Sequence, residues 1–314
     1  MKTYDCVVCG EACVDLLIRP IPRDQPLNQF NTQHIEAIQT LAGGIVPNSA
    51  TGMSRLGLKT AALCLVGNDA WGDFLRRQLT AATVDTEHVL THESAASSVT
   101  AVLVDEAGEH TFAFHAGASQ MIEKSTYLNR LSLFASSSYA LFGYYHLMPR
   151  LEDDLAEVLE AVRQTGCKTA LDTANGGGHL QPLDRILPHV DIYIPSFAEA
   201  EQQTGQSTPR AQIETYRDCG TSALLGIKLG KHGALLQNAD REWLEVAPIS
   251  PPGPIVDTTG AGDSFYAGLI TGLVRGMPLG EAVKIGAAAG ACCVTALGTA
   301  GIRNLAETKQ LAGL

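Results

Sequence analysis

Short apolar runs alternate with stretches of helical periodicity along most of this chain. Tyr4–Cys9 and Ala12–Ile18 read as strands with Gly10 breaking between them, and Thr60–Val66 reads as a third. Asn48–Leu56 and Asp73–Ala82 have helical spacing, the first with small residues along one side. Val99–Asp105 and His110–Ala116 are β-rich runs joined by Glu106-Ala107-Gly108-Glu109, a hairpin signal. From Leu151 the pattern becomes regular. It runs helix Glu152–Thr165, strands Lys168–Leu171 and Asp191–Ile194, helices Ala198–Thr204 and Pro209–Cys219, strand Ser222–Ile227, and a buried helix Phe265–Val274. Strands that alternate with helices build βαβ units and a mostly parallel sheet. Residues 19–40 break the scheme, with Pro20, Pro22 and Pro26 among scattered apolar positions. With the 99–116 hairpin they are expected to form a small β-lid, leaving 1–18, 41–98 and 117–314 as one α/β core.

Composition narrows the class. At 314 residues and 45% hydrophobic, the chain supports a large α/β domain with an appendage, or two domains. A net charge of −11 argues against non-specific binding to nucleic acid or anionic membranes. No apolar run approaches the length of a membrane span, and Asp5 and Glu11 interrupt any signal-peptide core, so a cytoplasmic protein is expected. Cys6, Cys9 and Cys13 cluster and Cys292-Cys293 are adjacent, without the second short-spaced pair or histidines of a zinc site. Reduced thiols buried as small hydrophobes are expected.

The run Asp257-Thr258-Thr259-Gly260-Ala261-Gly262-Asp263-Ser264-Phe265 carries the most chemistry. A glycine-bearing turn that opens into a helix leaves several N–H groups free and aligned with the positive end of the helix dipole, which suits a phosphate. Asp263 would repel that phosphate, but it suits a carboxylate that takes a proton from an attacking hydroxyl. An Asp that caps the helix would give the same letters. Gly43-Gly44-Ile45-Val46-Pro47-Asn48 precedes a helix; it is either a turn with a cap or a place where a ligand approaches the main chain. Asp15 ends an apolar strand, where a carboxylate can pair with hydroxyls of a polyol or face solvent. Ser196 and Glu199 have the spacing of a capping box. No Gly-x-Gly-x-x-Gly follows the first strand. Gly226-Ile227-Lys228-Leu229-Gly230-Lys231-His232 has the wrong spacing for a phosphate loop and lacks its hydroxyl.

These runs together resemble the ribokinase-like (PfkB) family of carbohydrate and nucleoside kinases. The C-terminal signature matches at Gly260, Ala261, Asp263, Ala267 and Gly268, and the N-terminal one at Gly43, Gly44, Asn48, Gly57 and Gly67. Val46 stands where a small residue or proline is usual, and Ser196 where the family often has Asn. The resemblance implies a three-layer α/β/α domain with a mostly parallel sheet and a small β-sheet lid. It implies an ATP-dependent kinase in which Asp263 is the base and Gly260, Ala261 and Gly262 form an anion hole. Asp15, Gly43, Gly44 and Asn48 would bind the acceptor. Lys228, Gly230, Gly233 and Gly298 would bind ATP, with Ala287–Gly290 flanking the base. Glu199 would support magnesium through water. Main-chain carbonyls of Asp257, Thr259, Cys293, Ala296 and Gly298 would hold potassium.

Relatives whose lids pair imply a homodimer. Those acting on acidic keto sugars tend to carry Arg two residues after an Asn such as Asn175; Gly177 stands there, which favours a neutral sugar. A nucleoside kinase would add an aromatic floor for its base, and a non-catalytic sugar or nucleotide sensor would lose Asp263.

Overall fold

The computed structural model describes residues 2–22, 32–174 and 180–314. Among them, the first half contains β1 (Tyr4–Gly10), β2 (Cys13–Ile18), β3 (Gln39–Gly43), α1 (Ile45–Arg55), β4 (Thr60–Gly67), α2 (Ala70–Ala81), β5 (Val89–His92), β6 (Ser98–Val104), β7 (His110–His115), α3 (Lys124–Leu128), α4 (Leu131–Ala135), β8 (Ser137–Gly143) and α5 (Leu155–Gln164). The second half contains β9 (Lys168–Asp172), α6 (Leu180–Ile186), β10 (Ile192–Tyr193), α7 (Phe197–Thr204), α8 (Pro209–Asp218), β11 (Leu224–Lys228), β12 (Ala234–Gln237), β13 (Trp243–Val246), α9 (Ala261–Val274), α10 (Leu279–Cys293) and α11 (Leu305–Leu311).

The main sheet is nine-stranded, in the order β13-β12-β11-β10-β9-β8-β1-β4-β5. Its strands run parallel except for β12, which pairs antiparallel with both β11 and the edge strand β13. A parallel sheet is covered on both faces, so its strands read as unbroken apolar runs; every residue of β4 is buried. Along β1, Cys6 and Val8 pack with Ile45, Tyr266 and Leu269 of α1 and α9, while Val7 and Cys9 pack with Phe142, Leu155 and Val158 on the other face. The result is helix, sheet, helix. α9 and α10 approach closely because their contact positions lack side chains: a Cβ on Gly268 would fall 2.5 Å from the Ile285 carbonyl oxygen.

The second sheet has the order β3-β2-β6-β7. It corrects the assignment of Ala12–Ile18 to the core: β2 pairs antiparallel with β3 and parallel with β6. Gly10, at φ 132°, ends β1, and the chain turns off the main sheet there. The 99–116 hairpin forms as β6 and β7. Within 19–40, a strand forms only from Gln39 among the described residues; Pro26 lies outside them. Helix starts moved with their caps. Asp69 accepts from the Gly72 N–H at 2.8 Å and starts α2 at Ala70 rather than Asp73.

Candidate active site

The chain reverses its progress across the sheet at β1, with β4 and β5 to one side and β8 to β11 to the other. Beyond the carboxyl ends of such strands the loops diverge and leave a crevice. Glu11 follows β1, Tyr144 follows β8, Asp172 ends β9 and Lys228 ends β11, so all four stand at that crevice. The amino end of α9 faces it.

Asp263 lies in the first turn of α9 and is 2% exposed. Its Oδ2 accepts from Asn48 Nδ2 and its Oδ1 from the Tyr144 hydroxyl, both at 2.9 Å. Burial raises its pKa above the ordinary carboxylate range, and the two hydrogen bonds and Lys228 act against that rise. The carboxylate is fixed in position, and each oxygen keeps a lone pair for a proton. Gly260, at φ 77°, makes the turn into α9, a conformation glycine adopts without strain. The helix has no side-chain cap; the Ala261 N–H reaches the Thr258 carbonyl at a long 3.3 Å.

Lys228 Nζ pairs with Asp172 Oδ1 at 3.0 Å and lies 5.0 Å from the centre of the Tyr266 ring. It also stands 3.1 Å from where a Cβ on Gly262 would be. The ammonium and the positive end of α9 therefore act on the same point. Burial alone would push the lysine pKa down; Asp172 and Glu199 outweigh it and hold the pKa above its usual value. Asp172 goes up to about 7, since burial outweighs the attraction of Lys228.

Asp15 and the glycine pair are brought together. A Cβ on Gly43 would fall 2.0 Å from Asp15 Oδ2, so any larger residue would displace the carboxylate. Burial raises Asp15 to about 6. A cavity of about 110 Å³ lies here beneath the second sheet, lined by Asp15, Asn48, Val102, Val104, Asp257 and Gly298 among others. A second cleft, of about 560 Å³, runs along the other side of α9, lined by residues that include Lys228, Gly230, Gly233, Gly262, Ala287 and Gly290. The small residues of α10 thus serve two ends. Ala287, Gly290 and Ala291 open onto the cleft, while the Gly286 face packs against α9. Gly298 lines the smaller cavity beneath the second sheet rather than this cleft.

Glu199 is 7% exposed, and Ser196 and Glu199 form the capping box of α7: Glu199 Oε2 accepts from the Ser196 N–H at 2.7 Å. Among the described residues, no three His, Cys, Asp or Glu side chains gather as a metal cage. The Cys293 thiol donates to the carbonyls of Thr259 (3.5 Å) and Gly298 (3.2 Å), so those two oxygens converge. The Cys293 carbonyl accepts from the Ala296 N–H, and Asp257 Oδ1 from the Thr259 N–H. Asn175 and Gly177 lie outside the described residues.

Sequence reasoning missed Tyr144 and Glu11. Tyr144 follows a strand that was itself unassigned, and its partner lies on a helix more than a hundred positions away. Glu11 looked like an interruption of an apolar run.

The family model for pfkB family carbohydrate kinase matches residues 5–304. An ATP-dependent 6-phosphofructokinase from Thermoanaerobacterium thermosaccharolyticum is 25% identical over 92% of this chain and 88% of its own. A 2-dehydro-3-deoxygluconokinase from Bacillus subtilis is 29% identical over 86% of each chain. The structure of Arabidopsis thaliana ribokinase complexed with ribose and ATP superposes with a TM-score of 0.85 over 99% of both chains, at 22% identity.

Proposed function

The chain belongs to the pfkB family of carbohydrate kinases and is an ATP-dependent sugar kinase; from that premise we propose that it phosphorylates a hydroxyl of a small neutral sugar, with Asp263 as the base. The observation that carries this reading is the placement of Asp263. Its partner Asn48 lines the cavity beneath the second sheet, and its neighbour Gly262 lines the cleft along α10. A carboxylate between two cavities can take the proton of a hydroxyl in one as it attacks a phosphoryl group held in the other.

ATP occupies the larger cleft, its base against the small residues of α10 and its phosphates toward Lys228 and the Gly260-Ala261-Gly262 turn. The amides of that turn stabilise charge on the transferring group. Magnesium, when bound, would supply positive charge to the phosphates, with Glu199 as the carboxylate that would support it through water. Potassium would be held by main-chain carbonyls near Cys293, those of Thr259 and Gly298 that converge on its thiol together with Asp257, Cys293 and Ala296, and would add positive charge beside the turn. The second sheet is the lid over the acceptor. Phe112 and Phe114 on its edge strand β7 are 48% and 40% exposed, and a second copy covers them in a homodimer.

Two features favour a neutral sugar. Asp15 and Asp257 both line the acceptor cavity, and Arg19, which lines it too, is paired with Glu36 at 2.9 Å; this balance disfavours an anionic acceptor. Its described lining includes His110 but no Phe, Tyr or Trp, so the aromatic floor a nucleoside needs is missing. The test is ADP release with D-ribose, D-fructose, D-glucose, adenosine and D-gluconate, ranked by kcat/KM. A neutral sugar should lead. Adenosine or gluconate in first place would overturn the assignment.

A further inference from the structure

Glu11 has no role in the chemistry above, yet it is one of the least comfortable side chains in the molecule. It is 3% exposed, and its Oε1 is buried without a hydrogen-bond partner. A buried carboxyl left this way is costly, and such groups are rare unless a ligand or water completes them. Its main chain explains the residue's position but not its side chain. The Glu11 carbonyl accepts from the Val46 N–H at 3.0 Å and lies 2.8 Å from where a Cβ on Gly44 would be. Any amino acid supplies that carbonyl.

The glycine pair puts Glu11 beside the acceptor site: a Cβ on Gly44 would abut the Glu11 carbonyl, and one on Gly43 would fall on Asp15 Oδ2. Asp15 on β2 and Asp263 on α9 are the two charges with the largest effect on it. It acts in turn on Cys13 of β2 and on Tyr144 after β8. An acceptor that reaches both Asp15 and Asp263 contacts the two carboxylates that act on Glu11. We propose that Glu11 is a further acceptor-binding and specificity-determining residue, donating a hydrogen bond from its carboxyl group to an oxygen of the sugar that lies between the Asp15 and Asp263 contacts.

The proposal rests on the reading of this cavity as the acceptor site. It assigns complementary tasks to three carboxyls. Asp15 and Asp263 accept from sugar hydroxyls, while Glu11 in its acid form supplies the O–H donor that neither of them can. Burial, with the charges of Asp15 and Asp263 adding to it, raises Glu11 to about 8, so it holds its proton at neutral pH. Above that, the site loses a donor and gains a charge facing two others. Asp15 lies at about 6, and Cys13 and Tyr144 are pushed well above their usual values; Asp263 is also raised, so the Glu11→Gln profile is what assigns the alkaline limb. A carboxylated or phosphorylated acceptor would meet repulsion here, and a neutral polyol would not.

The test uses the whole enzyme with the best neutral sugar of the panel. Glu11→Ala should raise the acceptor KM at pH 7 about tenfold, the loss of one buried hydrogen bond, and leave the ATP KM within about twofold. Glu11→Gln keeps a donor but has no proton to lose. In the wild type, kcat/KM for the sugar should fall as pH rises through about 8; in Glu11→Gln that limb should vanish. A limb that persists unchanged in Glu11→Gln overturns the proposal, as does an ATP KM that rises with the acceptor KM. If Glu11→Ala fails to fold, the Glu11→Gln pH profile decides. A wild type that turns over no sugar would instead count against the function proposed for the site.

Discussion

Replacing Asp263 with Asn tests the proposed chemistry most directly, because the structure says the change can be made without disturbing its surroundings. Asp263 accepts on one oxygen from Asn48 Nδ2 and on the other from the Tyr144 hydroxyl. An amide can keep its oxygen toward Asn48 and turn its NH₂ toward Tyr144, whose hydroxyl accepts as readily as it donates. Both contacts survive, and the buried charge is gone, so thermal stability should not fall. What is lost is the site for the proton of the attacking hydroxyl. General-base removal costs about 10²–10⁴ in rate, roughly 2.7–5.5 kcal/mol in the barrier. The assay is ADP release at saturating sugar and ATP, with ATP affinity measured by titration calorimetry. The mutant kcat should drop within that range while ATP affinity stays within about threefold. The wild-type kcat should also lose activity on the acid side at a pH above the ordinary carboxylate range, since burial raises the Asp263 pKa; the mutant should lack that limb. A mutant with half the wild-type kcat would remove Asp263 from the role. Equal loss of kcat and ATP affinity would move it to the nucleotide.

Four further outcomes are expected. Gly43→Ala puts a Cβ where Asp15 Oδ2 now lies, 2.0 Å away, so acceptor KM should rise at least about tenfold with ATP KM unchanged, as steady-state kinetics would show. Lys228→Met leaves Asp172 buried without its partner; at pH 8 it should cost about 3–5 kcal/mol in denaturant unfolding, and Asp172→Asn in the same chain should recover most of that. Glu11, Asp172 and Asp15 have raised folded-state values, about 8, 7 and 6. Through these three groups the folded chain binds more protons than the unfolded chain between about pH 4 and 8, and their contribution to stability falls as pH rises through that window; it outweighs the opposite contribution of His146, whose pKa burial lowers, so the ligand-free Tm should be lower at pH 8.5 than at pH 6. Phe112→Ser with Phe114→Ser should convert a dimer to a monomer in sedimentation at micromolar concentration, and a wild type already monomeric there would end the lid-dimer idea.

How much of this was legible depends on how local each cause is. The Gly260–Asp263 turn is a local object, made by a left-handed glycine and the helix it starts, so its letters announce it. The regular strands and helices after Leu151 announce themselves by period, since each strand is covered on both faces and each helix has one buried face. β8 carries an equally apolar run, Tyr139 to Phe142, but it follows short helices and was passed over; with it went Tyr144. β2 was read correctly as a strand and placed in the wrong sheet, because pairing is a property of two distant segments and nothing in Cys13–Ile18 names β3 or β6 as its neighbours. Gly10 marked the break but not the direction of the turn. The same limit explains the division of labour along α10. Alanine and glycine at 286–291 permit both helix contact and an open cleft, and only the position of α9 decides which face does which. Glu11 is the sharpest instance. In the sequence it interrupts a hydrophobic run, the usual sign of a solvent-facing residue. In the fold that interruption falls where β1 ends and the main chain leaves the sheet, which is where a parallel sheet opens its crevice. A charged residue between two apolar strands therefore carries two readings, and the topology of strands far away in the sequence chooses between them.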